Sequence, residues 1–146
     1  MIYTIINPLI DMGRLLPMCA AHSTEIYGVE GNFDANHLYA IINAGMARVF
    51  TAQIKNGQYA GYAIFIMSRD LFQAHIKQAE CIAVYIKPEY RNLTTINKLM
   101  RFAENTLAHK DSVSRIISTT SNKRGLENLY KRLGYSVSNI QVTKEL

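Results

Sequence analysis

Asn56-Gly57 stands between two runs that alternate apolar and polar residues, Arg48 to Lys55 and Gln58 to Met67. An Asn-Gly pair in that setting is the strongest short-range signal for a β-hairpin, because it accepts the left-handed backbone that a tight turn needs. The middle of the chain is thereby committed to an antiparallel pair. Gln78 to Ile86 reads as the next strand, and its near-continuous apolar end predicts burial on both faces. Val84-Tyr85-Ile86-Lys87-Pro88 then runs into a turn, since the residue before a proline is biased toward extended backbone. Ile96, Leu99, Met100, Ala103 and Leu107 recur at spacings of three and four, which predicts a helix from about Thr94 to His109. A strand–turn–helix unit of this kind presents backbone N–H groups at the helix start, a ready anion site.

The remaining chain alternates in the same way. Ile2 to Ile6 is a short strand ended by Asn7-Pro8, and a helix from about Ile10 to His22 is expected to break or kink near Pro17. Gly28 to Asn32 is loop, after which Asp34 or Asn36 can cap a helix through Leu38, Ile41 and Ile42 to Asn43. Ser68 to Ile76 is a connector with room for a helical turn, and Arg115 to Thr119 is a fifth strand. Ser121 or Asn122 caps a helix bearing Leu126, Leu129, Tyr130 and Leu133 on one face, with Gly134 at its C′ position. Tyr135 to Val142 supplies a terminal strand.

Length and charge narrow the functions open to such a chain. At 146 residues it is long enough for one domain with a real core. No apolar run approaches the length of a membrane span, and Met1-Ile2-Tyr3 does not open a secretory signal, so a cytoplasmic protein is expected. Cys19 and Cys81 lack metal-like spacing and fit free thiols in a reducing compartment. His22, His37, His75 and His109 are scattered without ligand pairing, so no metal site is expected and the four read as solvated or partly buried side chains. Residues 1–86 carry five Lys/Arg against six Asp/Glu, whereas residues 87–146 carry eleven against five. That basic half suits cofactor phosphates, an acidic partner or nucleic acid, and charge alone does not choose among them. No aromatic-rich basic strand or helix-turn-helix pattern supports nucleic acid.

Val84 to Arg91, together with Asn128-Leu129-Tyr130-Lys131-Arg132-Leu133-Gly134-Tyr135, resembles the GCN5-related N-acetyltransferase (GNAT) superfamily. The first segment is similar to its acyl-CoA-binding strand and loop, the second to its Leu-Tyr-x-x-Leu-Gly-Phe helix end. The resemblance implies a single α/β (α+β) domain over residues 1–146 with the acyl-CoA N-acyltransferase fold. Its central mixed sheet would have six or seven strands, with helices on both faces.

The resemblance also implies a site. Acetyl-CoA would lie where the fourth and fifth strands part, met by the backbone of Val84, Tyr85 and Ile86. Its pyrophosphate would rest against Arg91, Asn92, Leu93, Thr94, Thr95, Ile96 and Asn97. The family pattern there is Q/R-x-x-G-x-G/A, and only Arg91 matches it. The absent glycines would have allowed close approach of backbone to phosphate. Thr94 and Thr95 offer hydroxyls in compensation, Asn92 tolerates left-handed geometry, and Ile96 adds only bulk. Asn122 resembles the asparagine that meets the pantetheine arm, although it lies eight residues before Tyr130 where seven is usual. Tyr130 would meet the cofactor and either protonate the departing thiolate or orient the sulfur, and Glu80 would be the general base. Cys81 reads as core packing rather than a nucleophile. On the acceptor side, Glu25, Tyr27, Glu30 and Asp34 would attract a cationic amine.

Acetyl transfer from acetyl-CoA to an amine acceptor, a small molecule or a protein, is therefore the leading expectation. A GNAT-fold protein with a decayed cofactor site, serving as a binding or structural module, is the alternative. Degenerate loops of this kind also occur in GNAT-like proteins of bacteriophages, which makes phage origin part of the expectation. A homodimer is included in it; no membrane partner is.

Overall fold

The computed structural model describes residues 1–30, 32–119, 126–138 and 141–146. Its elements are β1 (Ile2–Ile5), α1 (Pro8–Tyr27), α2 (Ala35–Asn43), β2 (Ala47–Gln53), β3 (Tyr59–Arg69), β4 (Lys77–Ile86), α3 (Leu93–Lys110), β5 (Arg115–Ser118) and α4 (Glu127–Arg132). Short 3-10 turns at Gly28–Glu30 and Pro88–Tyr90 precede α2 and α3.

The strands lie in the order β1-β2-β3-β4-β5, antiparallel except for the parallel β4–β5 pair. The β2–β3 hairpin forms as expected, but its loop runs from Ile54 to Gln58. Gly57 donates to the Ile54 carbonyl at 2.9 Å and takes φ +83°, so one left-handed residue turns the chain. Strand β4 is central, as its apolar end predicted, between β3 and β5.

Alternation divides the sheet between two cores. Phe50, Ala63, Phe65, Ala79, Cys81, Val84 and Ile86 pack with Leu99, Met100, Ala103 and Leu107 of α3. Val49, Tyr62, Ile64 and Tyr85 face Leu15, Met18 and Cys19 of α1 and Leu38 and Ile42 of α2. Helices thus cover both faces. The caps are local: Asn7 accepts from Leu9 N–H, Asp34 from His37 N–H and Asn92 from Thr95 N–H.

Two expectations are corrected. Helix α1 runs from Pro8 to Tyr27 through Pro17 without a break, the first of the two alternatives expected there. Gly13 and Pro17 both lie on its exposed face, so the carbonyl deprived of an N–H partner is open to water. Burial of Leu15, Met18 and Cys19 on the other face offsets the lost bond. The sheet has five strands rather than six or seven, because the described residues of 135–142 form no strand. Val137 and Val142 remain 78% and 89% exposed, and without a buried face nothing sets a register against β5. The expected caps Ser121 and Asn122 lie outside the described residues.

Candidate functional site

Strands β4 and β5 pair only over four positions, from Gln78 opposite Arg115 to Cys81 opposite Ser118. Beyond Cys81 no described residue pairs with the β5 side of β4, which is open among the described residues. Ile82 is skipped in the register with β3, where Ile64 pairs with Ala83 and Phe65 with Cys81. A bulge of this kind locally bends and twists the strand that carries it. Lys87 N–H donates to the Ala60 carbonyl at 2.8 Å, so by antiparallel alternation Tyr85 also bonds toward β3. The main-chain groups of Val84 and Ile86 therefore face the opening. Gly61, opposite Ile86, makes this close pairing feasible: a Cβ there would meet Ile86 Cδ1 at 2.4 Å and the Tyr85 carbonyl at 2.5 Å. Sequence reading passed over Gly61, although an isolated glycine within a strand does signal close backbone approach.

A cavity of about 300 Å³ opens at this point, lined by Glu25, Val84, Tyr85, Ile86, Arg91, Ile96 and Leu126. The structure thus brings five of the expected cofactor residues to one cavity and adds Glu25, from the expected acceptor side. Helix α1 is pinned beside it by His22, which is buried rather than solvated. His22 stacks on Tyr85 with ring centroids 4.9 Å apart, and its Nδ1 shares a 2.7 Å hydrogen bond with the Tyr62 hydroxyl. Glu25 follows one turn later and reaches Arg91, whose Nη2 donates to Glu25 Oε2 at 2.9 Å. The same guanidinium donates to the Ile86 carbonyl through Nε at 3.2 Å and Nη2 at 3.0 Å. The Glu25 carboxylate beside it raises the Arg91 pKa further above its ordinary value.

The start of α3 lies next to this cavity. Asn92 Oδ1 accepts the Thr95 N–H at 2.8 Å, and Thr95 is itself buried. Leu93 and Thr94 are exposed at the helix start, and Asn97 Oδ1 is buried without a hydrogen-bond partner among the described residues.

The two expected catalytic groups lie apart from the cavity lining. Tyr130 on α4 is buried in the α3-side core, against Cys81 and Tyr135, and lines a wider groove of about 1740 Å³ between α3, β5 and the C-terminal segment. Leu126, one turn before it, reaches the smaller cavity. Glu80 is exposed on the opposite face of β4 from Ala79 and Cys81, flanked by Ile66 and Ile117. Burial pushes the Cys81 thiol up to about 12, which leaves it a poor nucleophile and supports its reading as a packing residue. Asn122 lies outside the described residues. Of the other acceptor-side residues, Tyr27 and Asp34 are exposed at the end of α1 and the start of α2.

Comparison with known proteins agrees with this geometry. The model of the acetyltransferase (GNAT) family matches residues 17–135. No curated protein matches the chain in sequence. Among solved structures, a probable acetyltransferase superimposes with a TM-score of 0.83 at 15% identity, covering 100% of this chain and 97% of the other. A ribosomal-protein-alanine N-acetyltransferase from Brucella melitensis gives 0.77 at 12% identity with 100% of both chains covered. Glucosamine-6-phosphate N-acetyltransferase from Arabidopsis thaliana gives 0.73 at 13% identity with 99% of both chains covered. At these identities the likeness is one of fold.

Proposed function

The chain belongs to the acetyltransferase (GNAT) family, and from that premise we propose that it transfers the acetyl group of acetyl-CoA to an amine by direct attack in a ternary complex. The observation that carries this reading is the edge of β4 at Val84 and Ile86, unpaired among the described strands and facing a cavity with apolar walls and the Glu25–Arg91 pair. An extended amide arm such as pantetheine can pair with the Val84 main chain and the Ile86 N–H there as a further strand would, the Ile86 carbonyl being held by Arg91. The start of α3 lies within the same region and offers partial positive charge to a pyrophosphate.

Acetyl-CoA supplies an acyl thioester, and the rest falls to this chain's residues. Main-chain N–H groups at the end of β4 are placed to stabilise negative charge on the carbonyl oxygen as the amine nitrogen bonds to carbon. Glu80 takes the proton lost by the amine. Tyr130 gives a proton to the sulfur as the carbon–sulfur bond breaks. The acceptor arrives as an ammonium and attacks as the neutral amine once that proton is gone, directly on the thioester and without a covalent enzyme intermediate.

A second reading is favoured by specific contacts. Arg91 is engaged by Glu25, the Asn92 side chain takes the Thr95 N–H, and Ile96 fills part of the cavity wall. These suit a GNAT-fold binding or structural module with a decayed cofactor site. Calorimetry with acetyl-CoA separates the two, followed by thiol release with polyamine, peptide and aminoglycoside acceptors. Saturable binding and release with at least one acceptor are expected. Absence of both overturns the enzyme reading in favour of the module.

A further inference from the structure

The mouth of the cavity already holds a cation. Glu25 Oε2, the Ile86 carbonyl and the face of Tyr85 converge on the Arg91 guanidinium, whose carbon lies 5.8 Å from the Tyr85 ring centroid. A carboxylate, a carbonyl and an aromatic face are the three features that recognise an ammonium or guanidinium group. They come from α1 and from the end of β4, and the turn before α3 carries the arginine they hold, so only the assembled fold creates the arrangement. If the acetyltransferase reading holds, on which this inference rests, an anionic co-substrate and a protonated amine must both arrive at this point.

We propose that Glu25 is the residue that receives the acceptor's ammonium group, and that Arg91 occupies its place until the phosphates of CoA draw the guanidinium away. Arg91 stands directly before Asn92, the cap of α3, so it reaches Glu25 from the start of the expected phosphate site. The Arg91 and Glu25 side chains are 46% and 36% exposed. An ion pair of that exposure is weak enough to be exchanged for a charge-assisted contact to phosphate. The acceptor class that follows is a primary amine carried as a cation, such as a polyamine or a lysine-like side chain. Binding of the two substrates is then coupled: each is favoured by the presence of the other, in equal measure.

Calorimetry on the whole chain tests this with CoA as the probe. Glu25→Gln releases Arg91 and should tighten CoA binding by about two- to five-fold. Arg91→Ala should weaken it, and adding Glu25→Gln to Arg91→Ala should change nothing more. Spermidine should bind the CoA-saturated wild type more tightly than the CoA-free protein, and Glu25→Gln should remove that gain. CoA binding that ignores Glu25→Gln overturns the exchange. Absence of the spermidine gain overturns the assignment of Glu25 to the ammonium. No CoA binding by wild type overturns the acetyltransferase reading and this inference with it.

Discussion

The open end of β4 and the outer edge at β5 belong to one sheet, yet they are built differently. The end of β4 is paired along β3 through Gly61, bent by the skipped Ile82 and backed on one face by α3 and on the other by α1. Its cavity is small, and the two charged residues in its wall, Glu25 and Arg91, are paired with each other. Strand β5 has four residues, one neighbour among the described strands and a wide groove beside it, with Val137 and Val142 left in solvent. Two-sided packing fixes the first region; one short parallel ladder defines the second. The proposed reaction needs both, because Tyr130 lies in the groove while five of the expected cofactor residues lie in the cavity.

The sharpest test of that division is Tyr130→Phe. If the phenol serves the departing thiolate, turnover should fall by about 10²–10⁴-fold with acetyl-CoA affinity nearly unchanged. Equal turnover would confine Tyr130 to packing and separate the two regions functionally. Steady-state kinetics beside calorimetry gives the answer.

Gly61→Ala addresses the ordered region itself. The added methyl meets the Tyr85 carbonyl, a backbone atom that cannot swing aside. Overpacking of this kind costs about 1–3 kcal/mol and should lower Tm by several degrees. Acetyl-CoA binding should weaken too, since Tyr85 and Ile86 must move. An unchanged Tm would show that the β3–β4 pairing yields more readily than its geometry implies.

Glu104 probes the other region. Burial raises its pKa, and the Tyr135 hydroxyl, donating to Oε1 at 2.8 Å, only partly opposes that. A carboxyl with a raised folded-state pKa binds its proton more tightly in the native chain than in the unfolded one. Stability from it is fully present below the ordinary value of 4.5 and is lost as pH rises through the raised value. Glu104→Gln should therefore raise Tm relative to wild type at neutral pH, and the advantage should vanish in acid. Melting curves across pH would reveal a constant difference instead if the carboxyl's charge were irrelevant.

The smallest effect is expected at Val137→Ala. A side chain this exposed should change stability by no more than about 0.5 kcal/mol, read by denaturant titration. A larger loss would mean that the segment packs against the groove after all.

Local interactions made much of this protein legible from its residues. The Asn56-Gly57 hairpin, the Asp34 cap, the two-sided burial of β4 and the stripe of α3 each depend on neighbours a few positions away, and the family resemblance rested on the same segments. Three features waited for the tertiary structure. Pro17 breaks a helix in isolation, but α1 runs through it because the sheet buries the opposite face. An alternating run such as 135–142 becomes a strand only if a neighbour and a buried face are available, and β5 provides neither for its described residues. Arg91 was legible as a phosphate residue, whereas its partner Glu25 is 66 positions away and its ring wall, Tyr85, is held by a buried His22. Charge pairing across such a distance has no local signature. It exists only once the strand, its bulge and two helices have brought the groups together.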